Sequence, residues 1–211
     1  MKDIFSKINN LEKLIGNTPL VEILFKYKEK HMKIYAKLEY YNLTGSIKDR
    51  VAIYMLKRAY INKKINENDL ILEATSGNTG ISFAAVGTYL GHDVHIYMPD
   101  WMSLERIKLL ESYNAKLHLV SKNDGGFLKC ISLTEQCKAN CSDIFLPQQF
   151  SNIDNIYSHY YSTAPEIYST LKKHHISPSI FVAGVGTGVT IMGISKFLKE
   201  KNRHLKAYPI E

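Results

Sequence analysis

The residue types most capable of chemistry converge on Lys48, set in the run Leu43-Thr44-Gly45-Ser46-Ile47-Lys48-Asp49-Arg50. A polar turn containing Gly45 opens here into the helical pattern of Val51-Ala52-Ile53-Tyr54-Met55-Leu56. That places the lysine in the first turn of a helix, where the unpaired N–H groups and the dipole are positive. A solvated lysine gains nothing at that end. A desolvated one has its amine pKa pushed down and becomes a nucleophile at neutral pH. The chain carries 27 Lys and Arg in all, so one lysine says little without the turns around it.

Two glycine-rich turns supply that context. Thr75-Ser76-Gly77-Asn78-Thr79-Gly80 lies between the strand pattern of residues 69–74 and the helical pattern of residues 81–90. Its glycines allow close backbone approach, and its hydroxyls and amide are short donors beside a helix start, a setting suited to a carboxylate. Gly184-Val185-Gly186-Thr187-Gly188-Val189-Thr190 again joins a strand to a helix. It offers a cup of N–H groups with hydroxyl support, suited to a dianionic phosphate. No lysine follows its last glycine as in a Walker loop, and it misses the spacing of a dinucleotide fingerprint. A Schiff-base amine, a phosphate cup and a carboxylate cup together are what pyridoxal 5′-phosphate chemistry on amino acids requires.

The elements that must position these residues alternate. Strands are expected at 33–38, 69–74, 94–98, 116–120, 179–183 and 205–210. Helices are expected from Val51, over 81–90 up to Gly91, over 104–113 with Ser103 as cap, over 128–140, through most of 157–174, and over 190–200. The alternation predicts an α/β fold with mainly parallel sheets. The polar loop from Leu146 to Asn155 is the expected crossing between domains.

Composition narrows the function classes. The net charge of +7 is spread along the chain rather than clustered, which argues against nucleic-acid binding. No apolar run approaches a membrane span, and Met1-Lys2-Asp3-Ile4-Phe5-Ser6 does not read as a signal peptide; a cytoplasmic location is expected. Cys130, Cys137 and Cys141 share one helical face without metal-site spacing, which predicts buried free thiols and no metal.

These motifs resemble, in order, those of the cysteine synthase (O-acetylserine sulfhydrylase) and cystathionine β-synthase family. The likeness runs through Ile15-Gly16-Asn17-Thr18-Pro19-Leu20, Lys37-Leu38-Glu39, Thr44 to Arg50, Thr75 to Gly80, Met98-Pro99, Gln148-Gln149-Phe150, Pro165-Glu166-Ile167 and Gly184 to Thr190. It implies a tryptophan synthase β-like fold (fold type II) of two three-layer α/β domains. Residues 38–150 would form the smaller one; residues 1–37 plus 151–211 would form an incomplete larger one. The resemblance further implies that Lys48 holds pyridoxal 5′-phosphate as a Schiff base and moves the Cα proton, and that Asn78 binds the ring's 3′ oxygen. It assigns the phosphate to Gly186, Thr187, Gly188 and Thr190, and the substrate carboxylate to Thr75, Ser76, Thr79 and Gln149.

The implied reaction is O-acetylserine plus sulfide to cysteine plus acetate. A homodimer and a serine acetyltransferase partner are further implications. Cystathionine β-synthase chemistry with homocysteine is an alternative, and a shortened, non-catalytic binding module is another, because the serine that faces the pyridine nitrogen in the family has no counterpart up to Glu211. Departures from the family are Leu43, Ile153 and Ile156 for prolines, and Val189 for a glycine that a positive φ would require.

Overall fold

The structure is a computed structural model describing residues 2–211; Met1, the first residue of the stretch read against a signal peptide, lies outside it. The first helix, α1 (Lys2–Leu11), was not expected from the sequence. Its Ile4, Ile8 and Leu11 recur at helical spacing and are buried. Next come β1 (Leu20–Tyr27) and β2 (Lys30–Lys37), an antiparallel hairpin with Leu20 opposite Lys37. The sequence alternation predicts mainly parallel sheets, and the antiparallel pairing of this second strand departs from that. Lys28 and Glu29 take φ of 44° and 62°, the left-handed turn that suits a twisted two-residue loop.

The central sheet is parallel throughout, in the order β5-β4-β3-β6. Its strands are β3 (Leu70–Ala74), β4 (Val94–Pro99), β5 (Lys116–Val120) and the short β6 (Ile144–Phe145). Between them run α2 (Lys48–Ile61), which precedes β3, then α3 (Asn78–Leu90), α4 (Leu104–Ser112) and α5 (Gly126–Asn140). Ile71, Ile96 and Met98 face a large core built with α1, α2 and α3. Ala74 and Val120 face Cys130 of α5 on the other side. The result is three layers. Gly87 lets α3 lie close on the sheet, because a Cβ there would stand 2.7 Å from Val94 Cγ2.

Beyond the crossing loop stand α6 (Asp154–Ser158), a π-helical turn (His159–Thr163) and α7 (Ala164–Lys173). They are followed by β7 (Ile180–Gly184), α8 (Val189–Lys201) and β8 (Lys206–Ile210), with β7 and β8 parallel. Ala164, Ile167, Leu171, Ile194, Leu198 and Leu205 form a second core. Two local readings need correction. Ser103 makes no side-chain cap; its carbonyl accepts from Arg106 and Ile107, while its hydroxyl bonds Glu105. Of the thiols only Cys130 is buried, since Cys141 falls past the end of α5 and is exposed.

Candidate active site

Lys48 is the first residue of α2, as its sequence context predicts. Burial pushes its amine pKa below the ordinary lysine value. Its neighbours in sequence fix that helix start. Asp49, fully buried, accepts from Thr44 N (2.6 Å), Thr44 Oγ1 (2.5 Å) and Ser82 Oγ of α3 (2.6 Å). Arg50 reaches back to Glu39, with Nε on Oε2 at 2.7 Å, and across to Glu166 of α7, with Nη1 on Oε1 at 2.7 Å and Nη2 on Oε2 at 2.8 Å. Lys37 joins at 2.6 Å from Glu166 Oε2. The guanidinium is buried but doubly paired, the condition under which a buried charge is tolerated.

The carboxylate-type turn leaves the C-terminal end of β3 and enters α3. Gly77 is the cap, so Asn78, Thr79 and Gly80 already belong to the helix; Gly80 N–H donates to the Gly77 carbonyl at 3.1 Å, which leaves the N–H groups of Asn78 and Thr79 at the helix start. Gly80 is required here: a Cβ would meet Thr75 Cγ2 at 2.7 Å. Thr75 and Thr79 are buried, Ser76 is half-buried and Asn78 is exposed. Thr79 Oγ1 donates to Gln149 Oε1 at 2.7 Å, and Gln149 Nε2 donates to the Ala74 carbonyl at 3.3 Å. The fold therefore brings Thr79 and Gln149 together across the crossing loop.

The phosphate-type turn leaves β7 and enters α8. Gly188 has φ of 78°, and nothing lies within 4 Å of where a Cβ at Gly184 or Gly186 would stand. Val189 opens α8 without a positive φ, so the residue type fits that position. Thr187 Oγ1 is buried without a hydrogen-bond partner. Thr190 Oγ1 instead meets His159 Nε2 at 3.2 Å, and His159 Nδ1 meets Thr163 Oγ1 at 3.0 Å. Among the described residues no bond links Lys48 to either turn.

His159 carries no role in the sequence reading. Its only local signal is Thr163 four residues on, and the π-helical turn that aims both inward was not foreseen. Burial, then the charges of Lys48 and Arg50, push its pKa down to about 3. Its contact with Thr190 ties it to the phosphate-type turn, within reach of the charge of Lys48. An orphaned threonine hydroxyl, an open cup at the glycine turn and a half-buried lysine amine of lowered pKa fit a phosphorylated aldehyde cofactor.

The chain is similar to known proteins over most of its length. Cysteine synthase B of Campylobacter jejuni is 41% identical over 191 residues, covering 90% of this chain and 61% of its own length. Cysteine synthase B of Salmonella typhimurium is 38% identical over 199 residues, covering 93% and 63%. A hydrogen sulfide-producing enzyme from Fusobacterium nucleatum superposes with a TM-score of 0.95 at 50% identity, covering 98% of this chain and 62% of that one. A cysteine synthase from Entamoeba histolytica gives 0.84 at 34% identity, covering 96% and 60%. The chain thus spans less than two thirds of these relatives, and its fold is the tryptophan synthase β-like fold they share. Residues 11–211 match the pyridoxal-phosphate dependent enzyme family, and the chain belongs to it.

Proposed function

We propose that this chain carries the cofactor and amino-acid sites of a cysteine synthase, converting O-acetylserine and sulfide to cysteine and acetate. The observation that carries the reading is Lys48: a half-buried amine of lowered pKa at a helix start that the next two residues, Asp49 and Arg50, tie to Ser82 and Glu166. Bound pyridoxal phosphate supplies the electron sink that makes the substrate Cα proton acidic. Lys48 holds the cofactor and then takes that proton at Nζ. Acetate leaves from the β carbon with its bonding pair, sulfide adds there, and Lys48 Nζ returns the proton to Cα.

Thr75, Ser76, Thr79 and Gln149 seat the α-carboxylate. Gly186, Thr187, Gly188 and Thr190 seat the phosphate, and Asn78 meets the 3′ oxygen. In this reading residues 38–150 form the smaller domain, and residues 1–37 with 151–211 belong to the larger. A homodimer, a serine acetyltransferase partner and a cytoplasmic setting go with the same reading; among the described residues no helix is long and apolar enough to cross a membrane.

A second reading rests on the 50% identity to a hydrogen sulfide-producing enzyme. The same lysine and carboxylate seat would then act on cysteine, with sulfide rather than acetate leaving the β carbon.

The purified chain with pyridoxal phosphate is expected to be yellow. Borohydride should bleach it and leave the reduced adduct on the peptide bearing Lys48, and Lys48→Ala should abolish both. A colourless chain overturns the proposal. Cysteine formed from O-acetylserine and sulfide supports the first reading, sulfide released from cysteine the second, and product formed only with homocysteine overturns both in favour of cystathionine chemistry.

A further inference from the structure

Glu73 is the one carboxyl of the central sheet that the proposed chemistry leaves unused. It is the fourth residue of β3, paired opposite Ile96 of β4, and only 3% exposed. Two residues on, Thr75 begins the carboxylate-type turn. The N–H groups of Ala74, Gln148 and Gln149 bond the Glu73 carboxyl, while its Oε2 is buried without a partner. Gln148 takes φ of 56°, a left-handed conformation a glutamine rarely adopts, and this bends the crossing loop so that two successive N–H groups face one carboxyl. The adjacent Gln149 is held at its other end by Thr79 and the Ala74 carbonyl.

The surroundings say which charge state this carboxyl takes. Asp49 of α2 is bonded to Thr44 and Ser82, Lys138 of α5 to the Ser142 and Ile144 carbonyls, and among the described residues no charged group, Lys48 included, acts on Glu73. Burial outweighs the three N–H donors and pushes its pKa up to about 8. At neutral pH the group is an uncharged acid beneath a turn suited to an anion.

We propose that Glu73 is a positioning residue for the amino-acid carboxylate. Uncharged, it ties Gln148 and Gln149 to the end of β3 and sets Gln149 beside Thr79; ionised, it places a negative charge under the anion's seat and weakens binding there. This deepens the functional reading above and rests on it. The ligand class is any α-amino acid, because the device acts on the carboxylate common to all.

Glycine is the probe, since it has the carboxylate and amine but no group to eliminate. Its affinity for the pyridoxal phosphate-loaded chain is read from the visible spectrum between pH 6.5 and 9.5, beside that of Glu73→Gln. Taking the ratio of the two affinities cancels the titration of glycine itself. The parent's affinity relative to the variant should fall about tenfold as pH rises through 8, since a like charge shifts its neighbour by about one unit and the coupling is reciprocal.

Infrared spectra of the parent should show a protonated carboxyl band that disappears over the same range, a readout that does not require the variant to fold. A flat ratio with a visible, glycine-responsive band overturns this proposal alone, and so does a parent whose carboxyl band is absent at pH 6.5. A chain that never acquires the visible band overturns the functional reading and this one with it.

Discussion

Thr79 and Gln149 lie 70 residues apart in sequence, yet Thr79 Oγ1 donates to Gln149 Oε1 at 2.7 Å in a buried hydrogen bond. The bond closes the crossing loop onto the start of α3, and the proposed carboxylate seat requires that closure. Gln149→Ala leaves the Thr79 hydroxyl and the Ala74 carbonyl without that partner. Losing a buried partner costs about 1–3 kcal/mol. The expected outcome is a KM for the amino-acid substrate raised roughly tenfold, at 1.4 kcal/mol per factor of ten, with the Lys48 absorbance kept. Steady-state kinetics beside the visible spectrum checks it; an unchanged KM refutes it.

Glu166 predicts an acid-sensitive anchor. Burial alone would raise its pKa, but hydrogen bonds from Arg50 and Lys37 hold it at about 2, below the ordinary 4.5. A depressed carboxyl contributes stability that is present above 4.5 and lost as pH falls toward 2. Urea midpoints measured down that range should drop for the parent and drop less for Glu166→Gln. Glu166→Ala leaves Arg50 with Glu39 as its one remaining carboxylate and takes the carboxylate from Lys37, and should cost about 1–3 kcal/mol at neutral pH.

His159 should add a second acid-sensitive contribution, at higher pH. Its folded pKa of about 3 lies below the ordinary 6.5, so the unfolded chain takes up the proton first. Its contribution is whole above 6.5 and declines as pH falls toward 3. His159→Gln, which keeps a polar side chain but cannot titrate, should flatten the stability profile between pH 6.5 and 4.5, where Glu166 contributes little change. An unaltered slope in that window would show that His159 does not titrate on unfolding.

Gly193 of α8 packs against the crossing segment so closely that a Cβ there would collide with the Ile156 carbonyl and stand 3.0 Å from His159 Cβ. Overpacking of this kind costs about 1–3 kcal/mol. Gly193→Ala should lower the urea midpoint and also weaken cofactor retention, because His159 would be displaced from Thr190. Equilibrium dialysis against pyridoxal phosphate measures the second effect; a stability loss with unchanged retention would separate the two.

Much of the site is legible in the sequence because its signals are local. Lys48 and both glycine turns lie at helix starts, where a few consecutive residues decide the geometry. The β1–β2 hairpin was missed because Tyr27-Lys28-Glu29-Lys30 has none of the glycine or asparagine that usually marks a left-handed turn. The Arg50 cluster was missed for another reason: Thr18, Glu39 and Glu166 are remote in sequence, and no spacing rule joins them. His159 and Glu73 belong to the same class. Each takes its character from burial and from segments that only the tertiary fold brings near.

The pairing of Arg50 with Glu166 spans 116 residues, and Asn17 N–H reaches the same carboxylate across 149. Closing spans of that length is entropically slow, and synthesis runs from the N-terminus. As the chain emerges, the helix bearing Lys48 is complete in sequence long before its anchor exists. Until residue 166 arrives, the guanidinium has Glu39 alone as its carboxylate partner, so the start of α2 is anchored on one side only. The fold therefore completes the ionic cluster beside Lys48 only once α7 has been made.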